Sequence, residues 1–280
     1  MRVAVRLGLI IFVCLASTAC ITALTTIKVG RDGSGTIEQT MSMKAAVARQ
    51  LAGMMTGLQD ETGGADAAAG GELDLFSEKE MMEAASKMGE GVTFVSSQPI
   101  RTNERVGRVA TYRFSDITGL RINQKPASPG PAGELPGGDE AEDVLFRFAR
   151  QPAGSSTVTV IFPEAELEQA LDEADDADEQ ESDASETPDP AQLEMMKQIF
   201  DGLRIAINLD VDGTIVKTNS PYVQGSRVTL LDMDFSELLT NEATLGKVAT
   251  PKSIEEAKVL LQGLKGFKVN LDREVTVEFR

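Results

Sequence analysis

The side chains that most often carry enzyme chemistry are scarce in this chain. It has no histidine, no tryptophan and two cysteines, Cys14 and Cys20. Triads built on histidine, haem ligation and metal sites made of His or several Cys residues therefore lack their donors. Carboxylates, Lys, Tyr and Ser remain, without the side chain whose pKa lies closest to neutral pH. We therefore expect no enzymatic activity, no cofactor and no bound metal.

Both cysteines lie at the N-terminus, in a segment typical of an export signal. Two arginines precede an uncharged apolar run from Leu7, and small residues lead from Ser17 to Cys20. This order is typical of a secretory signal. We expect residues 1–19 to be a signal peptide and Cys20 to be the first mature residue, acylated as in a bacterial lipobox. Acyl chains hold a protein durably on a membrane when there are two or more of them.

Two other interpretations of the N-terminus stay open. Ser17 stands where a lipobox usually has an aliphatic residue, so cleavage after Ala19 without acylation is one alternative. Residues 7–27 carry no charge and are long enough to span a bilayer as an uncleaved anchor. In the preferred interpretation the protein is exported and lipid-anchored to the cell membrane or the outer membrane, and the membrane is its first partner.

The net charge of −17 comes mainly from one segment. Residues 164–189 contain 13 Asp and Glu residues and no Lys or Arg, which leaves a net charge of −4 on the rest of the chain. Such a segment cannot bury enough apolar surface to offset its ordering entropy. We expect a disordered acidic linker there, and flexible loops in the Gly/Ala-rich stretch 63–72 and the Pro/Gly-rich stretch 125–142.

Hydrophobic periodicity predicts strands and helices between these loops. Strands are expected in a hairpin over 24–40 and at 92–98, 105–114 and 118–124. Strands 144–148 and 158–162 are expected to form a second hairpin, and strands 203–211 and 214–218 a third, with a tight turn at Asp212-Gly213. Further strands are expected at 227–233 and 275–279. Helices are expected at 41–59, 77–89, 190–202, in a short stretch from 236, and at 253–266. Ser77 with Glu80, and Ser253 with Glu256, have the spacing of capping boxes.

This order of elements predicts an α+β fold, with mainly antiparallel sheets and helices packed on one face. About 260 residues remain after removal of the signal, enough for one large or two small domains. We expect one discontinuous α+β domain made of residues 20–163 and 190–280, because the acidic linker can loop out at modest entropic cost. Two small α+β subdomains are the alternative.

Several glycines, aspartates and one asparagine lie at the turns and ends of the predicted strands. Four glycines lie where turns are expected to need a positive φ: Gly33, Gly35, Gly213 and Gly225. Asn219, ahead of Ser220-Pro221, has the position of an Asx-turn. Four aspartates flank neighbouring strands and could converge on a cation, although solvated strand ends are the plainer interpretation: Asp210, Asp212, Asp232 and Asp234.

Methionines are concentrated in the predicted helices. Flexible core filling is the plain interpretation, because Met adapts to irregular gaps. The alternative interpretation is that these methionines line an adaptable apolar groove that binds an amphiphile. Its expected lining is Met41, Met54, Met55, Met81, Met82, Met195 and Met196.

Several short glycine-anchored motifs occur in a fixed order along the chain. They are Asp32-Gly33-Ser34-Gly35-Thr36, Gly91-Val92-x-Phe94, Gly107 with Tyr112-x-Phe114-x-Asp116, Gly213-x-Ile215-Val216-x-Thr218-Asn219, and Gly225-x-x-Val228-Thr229. This layout resembles the LppM-domain bacterial lipoproteins. The resemblance implies a lipid-anchored envelope protein with an α+β, lipid-cradling domain, and it supplies no catalytic residues. Family members often end in a transmembrane helix, whereas this chain ends in an alternating strand, so the resemblance assigns anchoring to Cys20.

Together these features predict an envelope lipoprotein with a non-catalytic binding role, for a lipid or amphiphile or for an envelope protein. A structural or assembly adaptor is the alternative. A carboxylate-based hydrolase is a third hypothesis, which needs two carboxylates that face each other across a cleft. Basic residues are scattered along the chain, which predicts no nucleic-acid binding.

Overall fold

The computed structural model describes residues 21–49, 77–122, 143–152, 154–163, 202–236, 263–270 and 272–280. Within these ranges the chain forms thirteen strands. They are β1 Ile21–Val29, β2 Gly35–Lys44, β3 Thr93–Arg101, β4 Arg105–Phe114, β5 Arg121–Ile122, β6 Val144–Arg150, β7 Ser156–Ile161, β8 Arg204–Val211, β9 Ile215–Thr218, β10 Val223–Gln224, β11 Arg227–Asp234, β12 Phe267–Val269 and β13 Glu274–Phe279. One α-helix, α1, spans Glu78–Lys87, residues 45–49 are helical, and Ile117–Gly119 form a 3-10 turn.

The larger sheet has eight strands and is built around β1. Its order is β10-β11-β8-β1-β2-β4-β3, and β12 also pairs with β11. All neighbours are antiparallel except β1 and β8, which run parallel. Parallel strands need a long crossover connection, and here the whole chain between β1 and β8 supplies it. The N-terminal strand therefore occupies the middle of this sheet rather than an edge.

One cross-strand row of the larger sheet shows how its apolar face is made. Partners that lie directly opposite each other share a face. From β3 to β11 this row consists of Phe94, Tyr112, Ile37, Ile27, Leu209 and Val228. Tyr112, Ile37, Ile27, Leu209 and Val228 are each fully buried. Alternate residues of the same strands point to the other face, which carries Thr, Asn and charged side chains.

The smaller sheet is antiparallel, in the order β5-β6-β7-β13-β9. Strands β7 and β13 alternate strictly between buried and half-buried positions, as expected of strands with one face in the core. Val158, Val277 and Phe279 have no exposed surface. The buried residues of both sheets, with Met81, Ala85 and Met88 at α1, form a single apolar cluster.

The predicted fold class is wrong. The described part of the chain is mostly β, with 59% of its residues in strands and 14% helical, and the strands form one mixed and one antiparallel sheet. The prediction required helices to cover one face of the sheet. Instead, the apolar face of the larger sheet shares one core with the apolar face of the smaller sheet, so the second layer in the described chain is mainly β.

Two element predictions differ from the structure for local reasons. The helix expected from residue 41 begins at 45, because residues 41–44 pair with β4 and complete β2. Strand pairing here overrides the helical pattern of the sequence. The remainder of that helix lies mostly outside the described residues, as do nearly all of the helices expected at 190–202 and 253–266. Ser77 does begin α1, but its side chain makes no capping hydrogen bond.

The strand expected at 118–124 is shorter than predicted in its described part, and residues 123–124 lie outside the described residues. Residues 117–119 form the 3-10 turn, and the Asp116 side chain accepts from Thr118 N to begin it. Only the two residues of β5 pair in a sheet. The tight hairpin expected at Asp212-Gly213 is also absent, because β8 and β9 belong to different sheets and Thr214 N donates to Arg280 O beside β13. Both other predicted hairpins, β1–β2 and β6–β7, are confirmed.

Candidate functional site

Cys20, the one residue to which the sequence gives a chemical role, directly precedes the described chain. Residues 1–20 lie outside the described ranges, so acylation of Cys20 stays a prediction. Ile21 is the first residue of β1 and pairs with Met43 of β2. Consecutive Cα atoms are about 3.8 Å apart, so a lipid on Cys20 would be attached immediately beside the end of β1. We call this the anchor end of the larger sheet.

A polar network holds β1 at the anchor end. The Thr22 hydroxyl donates to Gly202 O, 3.2 Å away, and accepts a hydrogen bond from Arg105 Nη2. Arg105 also donates to the Ser42 hydroxyl, from Nε at 3.1 Å and from Nη2 at 3.0 Å. Gly202 N in turn donates to the Ser236 hydroxyl at 2.8 Å. Side chains from β1, β2 and β4 are thus joined to the segments that enter β8 and leave β11.

The aspartates considered as cation ligands are mostly used in other contacts. Asp210 accepts two hydrogen bonds from Arg227, of 2.6 and 2.8 Å. Asp232 accepts two from Arg204, of 2.9 and 3.0 Å. These side-chain hydrogen bonds raise the pKa of both arginines. Asp234 accepts from Ser236 N at 3.1 Å. Within the described ranges no three His, Cys, Asp or Glu residues are grouped so that they could hold a metal ion.

A shallow cleft lies at the opposite end of β1. Its volume is about 370 Å³, within the range of small-molecule sites. The walls come from the ends of β1, β2 and β8, and they consist of Lys28, Val29, Gly30, Ser34, Gly35, Thr36, Asp210, Val211 and Asp212. The walls therefore carry backbone groups, hydroxyl groups and side chains of both charges.

The turn beside the cleft is built by Asp32 and two glycines. The Ser34 hydroxyl and backbone N–H donate to Asp32 Oδ1 at 2.7 and 3.0 Å, and they hold the pKa of Asp32 below its usual value. Gly33 has φ +85°, which favours glycine. Gly35 differs from its prediction, because it has no positive φ and instead lies where a Cβ would come within 1.9 Å of Lys28 O.

The other predicted turn residues have separate environments. Gly213 has φ +154° and Gly225 has φ +63°. Asn219 does not bind its own backbone: Nδ2 donates to Glu274 O and Oδ1 accepts from Thr276 N, both at 2.8 Å. An amide side chain thus extends the pairing of β9 with β13 beyond the end of β9.

The described methionines of the predicted groove do not share one environment. Met41 lies half-buried on β2, not on a helix. On α1, Met81 is buried in the core whereas Met82 is 54% exposed. Met54, Met55, Met195 and Met196 lie outside the described residues, so the groove stays a prediction. Met43 and Met88, which were not predicted to line the groove, are also buried in the core.

Tyr112 was noted above only as part of a short motif, and its environment was not predicted. Its side chain is fully buried, and the Phe94 ring packs against it edge to face with a centroid distance of 5.9 Å. The hydroxyl is the one buried side-chain polar atom in the described chain without a hydrogen-bond partner. Burial raises the pKa of Tyr112 to about 12. Alternation in β4 could have predicted its burial, but a missing partner has no sequence signal.

None of the helices in the described ranges has the length and apolar character needed to cross a membrane. No protein-family model matches the chain, and no curated protein matches it. Among solved structures, the NMR structure of the folded domain of the Mycobacterium tuberculosis LppM protein is similar, with a TM-score of 0.32 and 9% sequence identity over 94% of this chain and 91% of that chain. This is a distant similarity, and no residue role is transferred from it.

Proposed function

We propose that this chain is an exported lipoprotein, acylated at Cys20, whose β body is a non-catalytic binding module of the cell envelope. The observation that carries the proposal is the position of β1. This strand begins one residue after Cys20 and lies between β2 and β8. An anchor at Cys20 would therefore be joined to the middle of the larger sheet, without an intervening linker.

The same strand would set which end of the body faces away from the membrane. β1 has nine residues, and at about 3.3 Å per residue it reaches about 26 Å from Ile21 to Val29. The cleft lies at its far end. With the anchor in the bilayer, the body would thus present the cleft away from the membrane surface, towards soluble or polymeric partners.

The contacts of Asp210 favour binding over hydrolysis at this cleft. A carboxylate-based hydrolase needs one protonated acid and one ionised carboxylate that flank the scissile bond. Both oxygens of Asp210 accept hydrogen bonds from Arg227. This carboxylate is therefore already used in an ion pair and not turned towards a substrate, which supports a role for the cleft in recognition.

Two experiments test the binding role. Native mass spectrometry of the detergent-extracted lipoprotein is expected to show a bound amphiphile if the ligand is a lipid. Crosslinking in cells is expected to give a discrete adduct if the partner is an envelope protein. A protein that carries no amphiphile and is recovered only as an uncrosslinked monomer would contradict the binding role.

A further inference from the structure

The first strand of the chain has a partner strand on each side. All nine residues of β1 have a register partner on β2, and eight of them have a second partner on β8. Thr25, Ile27 and Val29 are also buried. Strand β1 therefore cannot leave the larger sheet without breaking its hydrogen-bonded pairing on both sides.

The expected cleavage site of the signal lies directly in front of this strand. Removal of the signal would hydrolyse the peptide bond between Ala19 and Cys20, so that water leaves a carboxylate on Ala19 and an amine on Cys20. The next residue, Ile21, begins β1. Consecutive Cα atoms are about 3.8 Å apart, so this bond lies no more than about 6 Å from the Cα atom of Ile21.

Side-chain contacts restrain the start of β1 in the folded protein. The end of a chain usually frays, which exposes nearby peptide bonds to proteases. Here the Thr22 hydroxyl donates to Gly202 O at 3.2 Å and accepts a hydrogen bond from Arg105. An enzyme that takes up an extended chain pairs with its backbone, but Thr22 is already paired with β2 and with β8. The folded body therefore protects the bond in front of β1.

The two partners of β1 become available at different times. Export begins at the N-terminus, and only residues 30–34 separate β1 from β2. By contrast, Gly202, at the entrance to β8, lies 180 residues from Thr22. Contacts between distant segments form later than local ones because the intervening loop must close first. One edge of β1 therefore stays open until β8 has been exported and has paired.

We propose that the signal is removed while the β8 side of β1 is still open, and that the pairing of β8 with β1 ends this period. This inference rests on the proposed anchor at Cys20. Hydrolysis of the bond between Ala19 and Cys20 by the signal peptidase thus precedes completion of the larger sheet. A precursor, which still carries residues 1–19, is protected from the peptidase once it has folded.

The test follows the full chain in bacterial cells. An inhibitor of the lipoprotein signal peptidase lets the precursor accumulate, and pulse-labelling after removal of the inhibitor compares its processing with that of newly made chains. One variant carries eight Gly and Ser residues between Cys20 and Ile21, which moves the bond about 15 Å further from β1. The control carries the same insertion after Gly154, in the β6–β7 turn, where a Cβ would meet nothing within 4 Å. A second lipoprotein of the same cells verifies that the inhibitor is gone.

We expect the accumulated wild-type precursor to be processed about tenfold or more slowly than newly made chains, because cleavage then depends on the small open fraction of the folded state. The insertion after Cys20 should bring the two rates within about twofold of each other, and the insertion after Gly154 should leave the difference intact. Equal rates for accumulated and newly made wild-type chains would overturn the proposal. So would an accumulated precursor that stays resistant despite the insertion after Cys20.

The same experiment separates this inference from the proposed anchor. If neither the inhibitor nor Cys20→Ala changes the size of the protein, the signal is not removed at Cys20, and both the anchor and the inference are wrong. If wild-type chains are processed equally fast whether accumulated or newly made, Cys20 is processed as proposed and only the protection by β8 is wrong.

Discussion

Arg105 on β4 donates through Nη2 to the hydroxyl of Thr22 on β1, two strands away in the larger sheet. It reaches across Ser42 of β2 and binds that hydroxyl as well. Because Thr22 lies two residues beyond Cys20, this contact fixes the strand to which the predicted anchor is attached. The side chains that hold β1 in the larger sheet therefore lie next to the predicted site of the anchor.

We expect Arg105→Met to destabilise the folded protein by about 1–3 kcal/mol, because it leaves the half-buried hydroxyl of Thr22 and the buried hydroxyl of Ser42 without their donor. The matched control is Arg113→Met on the same strand, where the side chain is exposed. The control should change the free energy of unfolding by less than about 0.5 kcal/mol. Urea denaturation of both variants measures the difference. If both variants change the free energy of unfolding equally, the hydrogen bonds of Arg105 to Thr22 and Ser42 contribute no stability.

Gly35→Ala is expected to destabilise the protein by several kcal/mol, of order 2–4, because the new Cβ would come within 1.9 Å of Lys28 O and 2.6 Å of the Phe114 ring. Backbone would have to move to relieve the contact. Gly263→Ala is the control, since a Cβ there meets nothing within 4 Å. Thermal unfolding compares the two. A Gly35→Ala variant as stable as the control would mean that β1 and β2 separate more easily than the structure indicates.

Removal of the Tyr112 hydroxyl should not harm the fold. A buried polar group without a partner costs about 1–3 kcal/mol, so Tyr112→Phe is expected to leave the free energy of unfolding unchanged or to raise it by about 1 kcal/mol at neutral pH. Tyr222→Phe, at the other tyrosine of the chain, is the control. A loss of more than about 1 kcal/mol in Tyr112→Phe would reveal a partner such as a buried water or ligand.

Burial of Tyr112 also predicts a loss of stability in strong alkali. Its pKa rises from 10.0 to about 12 in the folded state, so the folded protein holds this proton more tightly than the unfolded chain does. The contribution is complete below pH 10 and is lost as the pH rises towards about 12, by roughly 2–3 kcal/mol in total. Tyr112→Phe should lack this loss. Ultraviolet absorbance can follow the phenolates directly, because the chain has two tyrosines and no tryptophan. Ionisation of Tyr112 near pH 10, measured as the difference between the wild type and Tyr112→Phe, would contradict the burial.

Local patterns of the sequence predicted most strands but not their assembly. The alternation of Val158 and Val160, and of Val275 and Val277, predicted β7 and β13 because each strand has one face in the core. The parallel pairing of β1 with β8 joins distant segments, which no local pattern encodes. For the same reason the meeting of Thr22 with Arg105 was not predictable, although Cys20 itself was singled out from its neighbours. The residues 41–44 have a helical pattern, and tertiary pairing with β4 makes them a strand.

Attachment of a lipid to Cys20 is the claim on which the account depends most. Metabolic labelling with a fatty-acid analogue measures it directly, in cells that express the full chain or the Cys20→Ala variant. We predict that the wild-type protein is labelled and sediments with membranes, whereas Cys20→Ala takes up no label. Equal labelling of both proteins, or no label on the wild type, would contradict the account.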